Sequence, residues 1–351
     1  MTEADRYGAA RRLARPDRFC YGPGFLVVSA REDGPTVLVS GATGVLGARL
    51  VRALHARGYR VRALSPPGDP HRTRLSGQSG VQIVEGDVRN AASVAGLFDD
   101  VDTVYHLAAV ILTPNPAVFD TVNRRGTAQM VEGAARAAVK HFVYVSSASV
   151  TYPQLTRYAE SKLVGEALVK SEHRFQHTIV RPTLVYDHDG GQEFMMFLRY
   201  LQRLPAVPFI GAGQAWKRPV WAGDVVKGLA AIAGNPRCHG KTYNLSGGAR
   251  IRMIDLARLM LAHHGQRRLL VPVPVVVARA VARAMKVFMK DPPLTLQAIA
   301  GFVHDADLPP DEAERDLGYR PLDLAAGFAR CFSGSHPAVA DTDDVSKEIV
   351  T

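Results

Sequence analysis

Cysteine is scarce in this chain. The three among 351 residues, Cys20, Cys238 and Cys331, are odd in number, far apart and without metal-ligand spacing. That argues against a disulfide framework and a structural zinc site, and it fits a reducing, cytoplasmic setting. Long apolar runs are lacking too. The best candidate to span a bilayer, 269–289, is broken by Pro272 and Pro274 and then by Arg279, Arg283 and Lys286. The N-terminal stretch 1–34 has arginines but also Glu3, Asp5 and Asp17, and it lacks the apolar core and cleavage site of a secretory signal, so it reads as a loose tail. No Lys/Arg block interleaves with aromatics. The net charge of +10 and the pI near 9.7 are therefore not read as a nucleic-acid footprint. There is no internal repeat.

What is present is a rhythm. Apolar residues make up 47% of the chain, enough for a full core. Strands are expected at 36–40, 61–64, 81–85, 103–107, 142–146 and 178–180, with helices at 46–56, 91–98, 119–139 and 158–170. Gly58 reads as the stop of the first helix and Asn90 as the cap of the second. Strands alternating with helices predict an α/β fold with a doubly wound parallel sheet, which binds ligands at the carboxyl ends of its strands. A glycine turn at 41–47, Asp87, His106 and Ser147 all fall at such ends. Beyond residue 182 the pattern loosens, with Pro205, Pro208, Gly211 and Gly213. Asp224 is expected to cap a helix through Ile232, and Tyr243-Asn244-Leu245 to form a further strand. The expected organisation is a nucleotide-binding domain at 35–182, completed by later segments, a smaller C-terminal substrate lobe at 183–332 and a polar tail at 333–351.

Two elements carry chemistry. The turn Gly41-Ala42-Thr43-Gly44-Val45-Leu46-Gly47 lies between an apolar strand and an amphipathic helix. Such a turn lets backbone approach a pyrophosphate, and the helix N-terminus offers N–H groups and partial positive charge. Tyr158 and Lys162 stand four residues apart and share a helical face. A phenol of ordinary pKa, roughly 10, is a poor base at neutral pH. A neighbouring ammonium and a positive nicotinamide ring would favour the phenolate. Ser147, just upstream, supplies a hydroxyl for a substrate oxygen that gains charge. The pairing points to hydride chemistry on a nicotinamide cofactor.

The Gly-x-x-Gly-x-x-Gly spacing is followed by Gly86-Asp87, His106-Leu107-Ala108-Ala109, Asn123 with Gly126-Thr127, Ser146-Ser147, Tyr158/Lys162, Arg181-Pro182 and Tyr243-Asn244-Leu245. In that order these pieces resemble the extended branch of the short-chain dehydrogenase/reductase superfamily, the NAD-dependent epimerase/dehydratase family, from residue 36 to about 330. The resemblance implies a Rossmann sheet and an NAD(P) cofactor. It implies catalytic roles for Ser147, Tyr158 and Lys162, with Ser147 aligning better than Ser146 or Ser149. It implies that Gly41, Thr43, Gly44, Val45, Leu46, Gly47, Ser65, Asp87, Val88, Leu107, Ala108, Ala109, Tyr158, Lys162 and Pro182 touch the cofactor, Asp87 receiving the adenine amino group. Asn123 would anchor the long helix. A homodimer through that helix and the Tyr158 helix is implied by analogy. Two departures stand out: a short stretch, 148–157, between serine and tyrosine, and Asp187 where relatives often have glycine. The second strand ends at Ser65, followed by Pro66 and Pro67, with no acid there to repel a 2′-phosphate. With Arg62, Arg72 and Arg74 nearby this leans to NADP(H), although the arginine that many NADP-using relatives carry after this strand is absent.

Substrate class divides the readings. Pro292-Pro293-Leu294-Thr295 and the run from Ala313 to Pro321 resemble the dihydroflavonol-reductase-like and 3β-hydroxysteroid-dehydrogenase-like members. Val110 and Ile111 would line an apolar pocket mouth. The expectation is an NAD(P)-dependent oxidoreductase interconverting a secondary alcohol and a ketone on a fairly apolar small molecule. Lys217 and Arg218, beside Trp216, point instead to a diphosphate and a nucleotide-sugar epimerase or dehydratase. A third reading is a non-catalytic, cofactor-holding subunit of a membrane complex, against which the intact Ser147/Tyr158/Lys162 set weighs. After Pro274 the chain reads as an amphipathic helix with Arg279, Arg283, Lys286 and Lys290 on one side, either a solvated face or a peripheral contact with a membrane surface.

Overall fold

The computed structural model describes residues 34–78, 80–188, 190–289 and 294–332. The two expected tails, apart from Gly34, lie outside the described residues, as do Cys20, Lys290, Pro292 and Pro293. The strands are β1 (Thr36–Ser40), β2 (Arg60–Ser65), β3 (Val81–Glu85), β4 (Thr103–His106), β5 (His141–Val145), β6 (Gln176–Pro182), β7 (Val185–Tyr186), β8 (Ala206–Ile210), β9 (Trp216–Lys217), β10 (Val220–Trp221), β11 (Lys241–Leu245), β12 (Ile251–Arg252) and β13 (Leu269–Val273). The α-helices are α1 (Val45–His55), α2 (Ala91–Val94), α3 (Gly126–Arg136), α4 (Arg157–Ser171), α5 (Gln192–Arg203), α6 (Ala222–Ile232), α7 (Met253–His263), α8 (Val275–Phe288), α9 (Leu296–Val303), α10 (Asp311–Leu317) and α11 (Leu324–Phe332).

Seven strands form one parallel sheet in the order β11-β6-β5-β4-β1-β2-β3. Strands β1 and β5 (TVLVS and HFVYV) are buried along their whole length, as strands covered on both faces must be. On one face α1 and α6 pack through Leu50, Val51, Leu54, Val225 and Leu229. On the other, α3 and α4 pack through Met130, Val131, Ala134 and Val169. The order in which strands are added reverses between β1 and β4, and parallel sheets of this kind hold ligands at such a switch point, over the carboxyl ends of the strands.

The second lobe has its own core. Helix α5 repeats Phe194, Phe197, Leu198 and Leu201 at helical spacing and lays them against Leu256, Met260 and Leu261 of α7. The parallel pair β8–β13 and helices α8 and α9 close the far side around Ile210, Ala278, Ala282 and Ile299. This apolar periodicity is visible in the sequence, yet for 183–332 the expectation named only a helix through Ile232, a strand at 243–245 and a helix after Pro274.

Other expectations need adjusting. The segment 91–98 is α-helical only to Val94 and then 3₁₀. The long helix begins as a π-turn, Phe119–Arg125, before α3 takes over. Asp224 does not cap its helix. Trp221 holds the N-cap position, and the Asp224 carboxylate accepts from the Leu322 amide and the Lys227 ammonium, both at 2.8 Å, tying the C-terminal segment to α6. Asn90 does cap α2, accepting from the Ala92 amide at 3.0 Å.

Candidate active site

The turn after β1 is built for close approach. Gly41 sits at φ 69°, and a Cβ there would lie 2.7 Å from the Ala108 nitrogen. A Cβ on Gly47 would lie 2.0 Å from the Gly41 carbonyl oxygen. Only glycine lets α1 and the segment after β4 converge here. Helix α1 has Gly44 as N-cap and no side-chain cap, so its leading N–H groups lack the usual internal acceptor. An uncapped helix start beside glycine backbone, with Ala108 and Ala109 partly open to solvent opposite, fits a dinucleotide pyrophosphate. Val45 and Leu46 are half-buried at this start.

At the β2 end Ser65 is fully buried, its hydroxyl turned to the Pro66 carbonyl at 3.3 Å. The feature missed in the sequence is Asp69. It caps the 3₁₀ turn Pro70–Leu75 through the His71 amide and accepts from the Thr43 hydroxyl at 2.5 Å. The Asp69-Pro70 start of a turn was a local signal for it. The nearby arginines are engaged. Arg62 donates to the Leu97 and Asp99 carbonyls, Arg72 pairs with Glu85, and Arg74 donates to the Thr43 carbonyl. Asp87 is held by Arg89 through two nitrogens, at 2.6 and 2.8 Å, and this hydrogen bonding keeps its carboxyl below the usual range. Val88 packs against Gly126, and Pro182 ends β6 buried.

Beneath the crevice runs a buried hydrogen-bond chain. The Thr127 hydroxyl donates to the Asn123 carbonyl (2.6 Å), so its contact with His106 Nε2 (2.9 Å) must be one it accepts. His106 Nδ1 then accepts from Ser40, at 2.6 Å. The imidazole is neutral, and burial drives it down to about 3, with the Lys162 charge adding to the effect. Asn123 clips two walls together. It accepts from the Val110 amide and donates to the Val110 carbonyl, and its Nδ2 also donates to Ser161 on α4, all within 2.8–2.9 Å.

Tyr158, Lys162 and Ser147 are brought together. Thr156 caps α4 through the Ala159 amide at 3.1 Å, which fixes where the helix starts. Ser147 begins a 3₁₀ turn, accepts from the Ser149 amide, and shares a 2.9 Å hydroxyl contact with Ser149. Burial holds the Tyr158 phenol above its ordinary range. The Glu193 carboxylate adds to this, and the hydrogen bond from Ser147 opposes it. Lys162 is buried with its ammonium 4.2 Å from the centre of the Tyr144 ring. Burial brings it down to about 7, against the pull of Glu166. Glu166 is itself clamped by Arg181 through both oxygens, at 2.6 and 2.8 Å. Gly165 allows α4 to lie on Tyr144, since a Cβ there would meet the phenol oxygen at 2.0 Å. The group that acts directly on the phenol here is Ser147, while Lys162 rests on a neighbouring ring.

The substrate side holds both expected and unexpected residues. Val110 and Ile111 are partly open along the cleft. Lys217 is buried, donates to the His304 carbonyl (2.5 Å) and lies 5.5 Å from the Tyr152 ring centre. Burial lowers it to about 8, with Glu193 and Asp305 opposing. Arg218 is committed elsewhere: it pairs with Asp307 at 2.5 Å and donates to the Gly247 and Gly248 carbonyls. Glu193, in the first turn of α5, was not foreseen. Its side chain is open to water yet sits deep enough in the cleft that desolvation raises its pKa, with Lys217 opposing. Asp187 forms a buried ion pair with Arg49 on α1 at 3.1 Å, pinning the second lobe to the nucleotide-binding helix. Among the described residues no group of three His, Cys, Asp or Glu could hold a metal ion.

Comparison with known proteins bears on the family and the fold. The sequence model of the NAD dependent epimerase/dehydratase family matches residues 37–246. A 3-beta-hydroxysteroid dehydrogenase of Mycolicibacterium neoaurum is 27% identical over 88% of this chain and 97% of its own. A ceramide reductase of Caulobacter vibrioides is 34% identical over 52% of this chain and 56% of its own. The crystal structure of a dTDP-glucose 4,6-dehydratase from Streptomyces venezuelae, solved with NAD bound, shares the fold. Its TM-score is 0.68 at 23% identity, covering 84% of this chain and 95% of that one.

Proposed function

The chain belongs to the NAD dependent epimerase/dehydratase family, and from that premise we propose that it interconverts a secondary alcohol and a ketone on an apolar, lipid-like or polycyclic small molecule. The observation that carries the reading is the convergence of Ser147, Tyr158 and Lys162 beside the glycine turn, under a cleft edged by Val110 and Ile111. The relatives named for hydroxysteroids and ceramide support the apolar class. A bound nicotinamide dinucleotide supplies or accepts the hydride at the carbinol carbon. The protein's own residues do the rest. The Gly41–Gly47 turn and the start of α1 would hold the pyrophosphate. Lys162, one helical turn from Tyr158, would hold ribose hydroxyls. Tyr158 gives its proton to the ketone oxygen in reduction and removes it in oxidation. Ser147 donates a hydrogen bond to that oxygen as charge develops. Burial keeps the phenol protonated at neutral pH, the form from which reduction starts.

For the cofactor we propose NAD(H) over NADP(H). The sequence leaned the other way because no acid follows β2 directly. Asp69, hydrogen-bonded to Thr43 of the glycine turn, supplies a carboxylate that would oppose a 2′-phosphate. We also propose a homodimer through α3 and α4. Leu163 and Val164 of α4 are exposed, and light scattering on Leu163→Glu should read a monomer.

The nucleotide-sugar reading needs basic groups turned to a diphosphate, whereas Lys217 and Arg218 are spent on His304, Asp307 and backbone carbonyls. Following cofactor absorbance against a panel of hydrophobic secondary alcohols, ketones and nucleotide-diphosphate sugars tests the choice. Turnover confined to the hydrophobic panel is expected. Turnover confined to the sugars would overturn it.

A further inference from the structure

Helix α8 has three faces, and one of them has no partner among the described residues. Ala278 and Ala282 are buried against Ile210 and Ile299, with Val275 beside them. Moving around the helix at 3.6 residues per turn, the next side carries Lys286, Arg279 and Arg283. The remaining arc carries only apolar side chains: Val276, Val277, Val281, Val287 and Phe288, with Ala280 and Ala284 between them. These large side chains are not buried. Val276 is 78% exposed, Val287 77% and Phe288 85%. An apolar stripe open to water and flanked by cations is costly unless something covers it.

Charge decides what covers it. The sequence holds no Asp or Glu between Asp255 and Asp291, while Arg258, Arg267, Arg268, Arg279, Arg283, Lys286 and Lys290 fall within that stretch. A helix that is apolar along one stripe, basic along one edge of it and without acids matches the interface of an anionic bilayer, where aliphatic and aromatic side chains enter the acyl boundary and cations meet phosphates. At 14 residues α8 is too short to cross a membrane, and no helix among the described residues is long and apolar enough to do so. The helix would lie in the interface plane.

Its position gives the contact a use. Arg279 donates to Gln154 (3.1 Å), within the segment joining Ser147 to Tyr158. Gln297 of α9 donates to the Ile111 carbonyl (3.0 Å) at the cleft wall. The exposed stripe therefore stands beside the entrance to the catalytic cleft. We propose that α8 docks this protein on an anionic membrane surface through its Val276–Phe288 stripe, placing the cleft mouth against the lipid from which an apolar substrate would enter. The docking itself does not depend on the assigned reaction.

The test is co-sedimentation of the full chain with vesicles of phosphatidylcholine alone or mixed with phosphatidylglycerol. Binding to the mixed vesicles, weakening with salt, is expected. Val276→Ser/Val287→Ser/Phe288→Ser should weaken it at least about tenfold. Arg279→Gln/Arg283→Gln/Lys286→Gln should lose about fivefold per charge on anionic vesicles, bringing affinity down to that for phosphatidylcholine alone. Val276, Arg283, Lys286, Val287 and Phe288 are exposed, and Arg279 is half-buried with one side-chain contact, to Gln154, so thermal melting should stay close to the wild type. Should the serine variant melt early, the glutamine variant decides. Wild-type protein left in the supernatant with anionic vesicles would overturn the proposal. So would full binding by both variants, or a solution dimer that the serine variant splits.

Discussion

Lys162→Met should make the protein more stable while making it inactive, and the gain should depend on pH. Burial brings the Lys162 ammonium from 10.5 to about 7. At 1.36 kcal/mol per pH unit this is a folding cost of at most roughly 5 kcal/mol when the group is charged in both states. The sign follows from proton counts. Between the folded value near 7 and the unfolded value of 10.5 the unfolded chain binds more protons, so wild-type stability rises with pH across that window. Below it the full cost is present, and above it there is none. Methionine fills similar space without a charge. It forfeits the contact with the Tyr144 ring, about 1–2 kcal/mol, whereas the attraction to Glu166 is already contained in the value near 7. The expected net gain is about 2–4 kcal/mol below neutral pH, fading to nothing near pH 10.5. Urea unfolding followed by circular dichroism at matched pH values, without cofactor, measures it. A variant less stable throughout, or a gain independent of pH, would refute the reasoning.

Three further outcomes follow from the site. Asp69→Asn keeps the turn cap and the Thr43 contact but removes the charge, so the kcat/KM ratio should move toward NADPH by about tenfold. An unchanged ratio would remove Asp69 from cofactor choice. Glu193→Gln removes a charge that holds the Tyr158 phenol up, so the rising limb of alcohol oxidation should shift to lower pH, with reduction at neutral pH little changed. An unmoved profile would separate the two residues. Arg49→Leu takes the guanidinium from Asp187, which is 1% exposed and keeps its contacts with the His188 amide and imidazole, and should cost about 2 kcal/mol of stability in thermal or urea unfolding. A cost below about 1 kcal/mol would mean that the pair does not join the lobes energetically.

Much of the nucleotide-binding half was legible because its central strands, β1, β4 and β5, are buried on both faces. Apolar runs such as TVLVS and HFVYV read as covered strands, and the glycine turn between TVLVS and α1 is local in sequence. The triad was legible for the same reason, since Tyr158 and Lys162 lie on one helix and Ser147 at the end of the strand before it. Asp69 and Glu193 were missed because their importance is tertiary. Asp69 matters through Thr43, 26 residues away, and Glu193 through Tyr158, Tyr152 and Lys217 on three other segments. Local pattern gives no sign of such meetings. Asp224 misled for a related reason, because a capping residue type near a helix start is equally suited to holding a distant amide, here Leu322. Lys217 and Arg218 looked like ligand groups in sequence, and the strap around 304–307 that engages them lies far along the chain.

Proton transfer from one phenol beside a nicotinamide is the central claim, and Tyr158→Phe addresses it most directly. The hydroxyl is the only group removed, and the glycine turn that holds the cofactor is untouched. NADH binding by fluorescence should match the wild type while turnover of the best ketone falls by about a thousandfold or more. Turnover retained within about tenfold, with binding intact, would contradict the account.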